Sequence, residues 1–94
     1  MSTIKVATEY DKEELAWYTP KLTLTRNAYL TVKLQKPGKI VIREKNEKGE
    51  YPMLPIRRHK AHTDFTFHIY VSPPSATIQV FTSTEPKEIK YAYI

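Results

Sequence analysis

The segment AYLTVKLQKPGKIVIREK, residues 28–45, decides how the chain is read. Leu30, Val32 and Leu34 alternate with polar residues, and Ile40 and Ile42 resume the pattern beyond Lys36, Pro37 and Gly38. A period of two marks β-strand. Proline and glycine between two such runs predict a turn, and therefore a hairpin. Both apolar sets need the same core, so Leu34 should oppose Ile40 and Val32 should oppose Ile42. That register requires an odd loop, a three- or five-residue connection with Gly38 in the left-handed region. Tyr29, Thr31, Lys33, Val41, Arg43 and Lys45 would then share the outer face.

Outward from this segment the alternation recurs, predicting strands over residues 3–8, 21–25, 28–35, 39–45, 50–56, 63–71, 76–82 and 88–93. In residues 63–71, Phe65, Phe67, Ile69 and Val71 face one way, and Asp64, Thr66, His68 and Tyr70 the other. Ile78 and Val80 are the expected partners, across the turn Ser72-Pro73-Pro74-Ser75. Ile89, Tyr91 and Tyr93 likewise share a face, opposite Lys90, Ala92 and Ile94. Pro52 and Pro55 demote their strand to an edge or irregular segment, because proline removes a ladder donor. Only residues 11–17 have helix-forming character, enough for one short turn. Eight short strands without crossover helices predict an all-β, antiparallel fold. The expectation is one domain over residues 1–94, a small two-sheet β-sandwich, immunoglobulin-like or jelly-roll-like, with an OB-like barrel as the alternative.

The 94 residues carry 15 Lys+Arg against 10 Asp+Glu, a formal charge of +5, and no cysteine. Disulfides, thiolate nucleophiles, cysteine-bound zinc and iron–sulfur clusters are thereby excluded. A chain this short has no room for a second core or a large enclosed cofactor pocket. Its longest apolar run is four residues, 91–94, far below the roughly 20 a membrane helix needs. The first residues lack the basic and apolar regions of a secretory leader, so the expectation is a cytoplasmic protein, or one carried into a virion assembled there.

Arg57, Arg58, His59, Lys60 and His62 form the densest chemical feature. Such a run neutralises phosphates or pairs with carboxylates on a partner, or else stands as a solvated loop that keeps an edge from aggregating. A second candidate is the outer hairpin face, where Lys33, Arg43 and Lys45 beside Tyr29 combine charge with an aromatic, as single-stranded nucleic-acid sites do. His59, His62, Asp64 and His68 are ligand types whose spacing shows no convergence, so no metal is expected. No nucleophile elbow, phosphate-cradling loop or poised carboxylate pair is present, so no enzyme and no cofactor are expected.

Tyr10, Trp17, Tyr18, Tyr29, Tyr51, Tyr70, Tyr91 and Tyr93 exceed what so small a core can enclose with every hydroxyl satisfied. Several should therefore be interfacial, with residues 11–18 as a contact arm and either Trp17 and Tyr18 or the terminal tyrosines as a desolvated anchor. Residues 1–50 hold ten cations and seven anions, residues 51–94 five and three, so the charge excess is two local patches and not a basic tail. The functional expectation is a non-enzymatic structural or protein-binding module with an acidic partner surface or a second copy. An accessory or decoration subunit of a large assembly such as a virus capsid fits it, and a small basic nucleic-acid-binding domain is the alternative.

Overall fold

A computed structural model describes residues 4–45, 48, 50, 55–71 and 74–94, without the side chain of His59. Most of the strand expected over 50–56, with Pro52, and the Ser72-Pro73 part of the next turn lie outside the described residues. Even-numbered apolar residues from Ala28 to Ile42 are buried, as alternation demands, but they line one continuous strand. The expected hairpin at Lys36-Pro37-Gly38 is not formed. Residues 28–45 run through as a single element, and Leu34 and Ile40 do not oppose each other.

The strands are β1 (Ile4–Lys5), β2 (Glu9–Asp11), β3 (Ala16–Tyr18), β4 (Leu22–Leu24), β5 (Ala28–Lys45), β6 (Ile56–Ile69), β7 (Ala76–Thr82) and β8 (Pro86–Tyr93). Among the described residues all pair antiparallel in one eight-stranded sheet, with the path β1-β8-β5-β7-β3-β2, β4 on β7 and β6 on β5. β5 organises the whole. Along one edge it pairs β6 from Ala28↔Ile69 to Ile42↔Ile56. Along the other edge it meets β8 from Ala28 to Leu34, and β7 from Ile40 to Lys45.

The expected pairing of residues 63–71 with Ile78 and Val80 is therefore replaced by pairing with β5. Ile78 instead sits opposite Leu22 and Glu44, and Val80 opposite Ile42. Alternation fixed which residues of β6 and β7 face inward, and that part holds: Phe65, Phe67, Ile69, Ile78 and Val80 are all buried.

A 14-residue strand would span about 43 Å if straight. Instead Ile56 and Ile69, its first and last residues, line one cavity with Ile42 and Ile78. The sheet has curled on itself. Its bend passes through residues 35–39, where the β5–β6 register shifts on either side of Gly38. Proline is tolerated at such an irregularity because the ladder is already broken there. This half-barrel does not part into two separately bonded sheets among the described residues, and its curl fits the barrel-like alternative better than a sandwich.

The bend is held by hydrogen bonds to the β7–β8 connection. Gln35 N–H donates to Glu85 O at 2.9 Å, Ser83 N–H to Lys39 O at 3.0 Å, and Lys39 N–H to Ser83 Oγ at 2.8 Å. Thr84 Oγ1 donates to Lys36 O at 2.8 Å. Gly38 is buried under these groups, and its φ is outside the left-handed region, so it is required for space and not for handedness. Inside the curl, Leu24, Leu30, Val32, Ile40 and Val80 are almost fully enclosed. Each such side chain contributes on the order of 1.5–3 kcal/mol from lost water contact.

The helical turn expected over 11–17 is also absent. β2 and β3 form a hairpin with Tyr10↔Trp17 and Asp11↔Ala16 in register. The Asp11 carboxylate accepts the N–H of Glu13 at 2.9 Å and of Glu14 at 3.3 Å, fixing the turn from its first corner. Leu15 closes it at φ 54°, a left-handed conformation that costs an L-residue about 1–2 kcal/mol. Because Leu15 is exposed, Leu15→Gly removes that strain without opening the core. Glycine's greater unfolded-state entropy offsets part of the gain. Chemical denaturation should show a net stabilisation of roughly 0.5–1 kcal/mol; an unchanged or lowered midpoint would mean that Leu15 contributes packing.

Candidate partner-binding surface

The basic run is not a loop. Arg57, Arg58 and Lys60 are exposed residues of β6, and the backbone of His59 belongs to the same strand; its side chain lies outside the described residues. Pairing with β5 reaches into this stretch, with Arg57 opposite Val41 and Arg58 opposite Ile40, and then slips, the four steps from Arg58 to His62 spanning only the two from Ile40 to Gly38. Since Ile40 faces the core and Val41 does not, the two arginines flank opposite sides of the sheet. The Arg58 guanidinium lies 5.0 Å from the Phe67 ring centre, a cation–π contact at the rim of the core. Phe67 in turn stacks on Phe65 at 6.1 Å.

Among the described residues β6 pairs only with β5, so one of its edges carries no strand. At the far end of β6, Tyr29 and His68 are directly opposed with ring centres 5.1 Å apart, and His68 stacks on Tyr70 at 4.1 Å. Tyr70 is 75% exposed and Tyr29 47%. Rings stacked on one another occupy each other's faces. Here Tyr29 is tilted by 45° against His68, and His68 and Tyr70 are stacked at 21°, so the three form one aromatic cluster on the surface. Beside it, Lys33 opposes Asp64 on β6 and Glu88 on β8.

The outer-face cluster expected from the hairpin is therefore divided. Tyr29 and Lys33 lie on one arm of β5, and Arg43 and Lys45 on the other. Lys33 and Arg43 point to the same side of the strand but are separated by about 33 Å of extended chain, with the bend between them. Arg43 lies 5.0 Å from the centre of the Phe81 ring, which stacks on Tyr18 at 6.4 Å. Trp17 and Tyr18 do not form a joint anchor. Trp17 opposes buried Thr82, packs on Tyr10 at 4.6 Å and lines a cleft with Ser83 and Thr84, whereas Tyr18 opposes Phe81 on the other face. Sequence reasoning missed the His68–Tyr70 extension of Tyr29 and the Phe81 contact of Arg43. Alternation along β6 already put His68 and Tyr70 on one face, and that was the available signal.

Tyr18 Oη donates to Glu9 Oε2 at 3.0 Å. This bond, then the carboxylate's charge, raises the phenol above its ordinary value of 10.0. A raised pKa means that the interaction is complete below pH 10 and is lost as pH rises through the folded-state value. In an ultraviolet titration Tyr18 should ionise later in the wild type than in Glu9→Gln; identical curves would show that the bond does not persist in solution.

Among the described residues no group of three or more histidine, cysteine, aspartate or glutamate side chains is placed to hold a metal ion. Among the described residues no helix is long and apolar enough to cross a membrane. No family model, curated protein or solved structure matches the chain.

Proposed function

We propose that the chain is a non-enzymatic protein-binding module, an accessory subunit that docks on an acidic partner surface within a larger assembly such as a virus capsid. In that setting it is made in the cytoplasm and carried into the particle, without a cofactor. The observation that supports this best is the placement of Arg57, Arg58 and Lys60 on β6, one edge of which carries no strand among the described residues. Rigid cations on a strand recognise carboxylates with less ordering cost than cations on a loop. The exposed Tyr29–His68–Tyr70 cluster adds aromatic contact area of the kind favoured at protein interfaces. The scaffold is read at the finer level as an OB-like, partly open barrel, with the two arms of β5 supplying what the sandwich reading assigned to two sheets.

Purification from the native source should find the chain travelling with a particle, and Arg57→Glu with Arg58→Glu should release it. Both arginines are exposed, so the double variant should keep its fold. Fluorescence anisotropy with labelled single- and double-stranded DNA at two salt concentrations tests the nucleic-acid reading. If Arg57, Arg58 and Lys60 each neutralised one phosphate, affinity for a single strand would fall with salt at a log–log slope of about −2. Tight binding with such a slope, and no co-purifying particle, would overturn the proposal.

A further inference from the structure

Resting on the reading that the basic edge docks a protein, we propose that β6 takes up an extended acidic segment of the partner as an added strand. β6 runs from Ile56 to Ile69 without proline or glycine, and among the described residues it pairs on one side only. In an antiparallel ladder every second residue directs its N–H and C=O away from the existing neighbour, so the edge offers alternating donors and acceptors. The β5–β6 ladder is regular over Ile56–Arg58 and again over Asp64–Ile69, with the register slipping between them, so an extended peptide finds its matched row of donors and acceptors at Ile56–Arg58, beside the two arginines, and not through the bend.

Charge selects among peptides. Arg57 flanks the edge on the outer side, and Arg58 on the inner side over Phe67. A strand laid along the edge sends successive side chains to these same two sides. Acidic residues at adjacent positions of the incoming segment therefore meet one cation each. A second copy of the chain is disfavoured, because antiparallel β6–β6 pairing centred on the basic stretch sets cation against cation. A nucleic acid backbone fits less well for another reason: phosphates only accept hydrogen bonds, which leaves the edge carbonyls unmatched.

The test uses the full ¹⁵N-labelled chain and an eight-residue peptide of glutamate, valine and threonine with two adjacent central glutamates. Amide exchange around Ile56–Arg58 should slow at least tenfold at saturation. Arg57→Glu with Arg58→Glu should raise the peptide's Kd at least tenfold, whereas Arg57→Lys with Arg58→Lys, which keeps the charge, should stay within about threefold. A peptide N-methylated at alternate residues keeps its carboxylates but cannot extend a ladder, and should bind at least tenfold more weakly. Equal binding of the methylated peptide, protection on another strand, no binding, protection that grows with protein concentration alone, or protection by single-stranded DNA would each overturn strand addition. If the peptide arm fails while the glutamate variant still releases the chain from its particle, the protein-docking reading stands without strand addition; if both fail, both fall.

Discussion

Gly38→Ala is expected to destabilise the protein by about 1–3 kcal/mol, the usual cost of forcing an extra carbon into closed packing. A Cβ built on Gly38 would collide with Thr84 Oγ1 and come within 3.0 Å of both Ser83 Oγ and Thr84 Cγ2. These are not idle side-chain ends. Thr84 Oγ1 is bonded to Lys36 O, and Ser83 Oγ accepts the Lys39 N–H, so moving either undoes a bond that holds the bend. Thr84→Ala clears the space and gives up one of those bonds. In that background Gly38→Ala should cost much less, and a double-mutant cycle from denaturation midpoints measures the difference. If Gly38→Ala proves neutral by itself, the close approach at the bend does not exist.

Thr19→Val should cost about as much, roughly 1–3 kcal/mol, because it leaves a buried donor without an acceptor. Between Tyr18 and Leu22 the chain advances four positions while β7 advances three, from Phe81 to Ile78. The extra residue breaks the ladder, and Thr19, fully buried, repairs it. Its N–H donates to Val80 O at 3.0 Å, its Oγ1 accepts the Val80 N–H at 3.0 Å, and its carbonyl accepts Gln79 Nε2 at 2.9 Å. Valine matches threonine in shape but has no oxygen. Thr19→Ser keeps the oxygen and loses only a methyl, so it should cost the smaller share, about 1 kcal/mol. Urea denaturation of both variants decides it: a Thr19→Ser loss equal to or above that of Thr19→Val would assign the effect to packing.

What the sequence made legible was the face of each residue, because alternation depends only on near neighbours. Which strand pairs with which was not legible, and residues 28–45 show why. Leu34 and Ile40 are six apart, so they keep the same parity whether the chain reverses through an odd loop or continues straight. Pro37 and Gly38 then tip the reading toward a turn, although here they accommodate a bend whose partners are Ser83 and Thr84, more than forty residues away. The basic stretch of β6 misled in the same way. It has no apolar alternation of its own, and only the ladder to β5 makes it a strand.

The candidate surface was legible to the same extent. Arg57, Arg58, Lys60 and Tyr29 are exposed as the sequence implied. Grouping Tyr29 and Lys33 with Arg43 and Lys45 failed with the hairpin on which it depended. Trp17 and Tyr18 face opposite ways because they are consecutive residues of β3, a strand that begins where the sequence predicts a helical turn.

The position of β5 also orders the folding of the chain in time. As the polypeptide emerges, β5 can join β6 early, since they are consecutive, but its second edge waits for residues 76–93. β3 and β4 wait for β7, and β1 waits for β8. Nearly every early strand is thus completed by a late one. Search over such sequence separations is slow, and the half-made sheet meanwhile displays unpaired edges that invite aggregation. Arg57 and Arg58, exposed on β6, set like charges against one another wherever two such nascent ribbons align on the basic stretch, which disfavours their pairing.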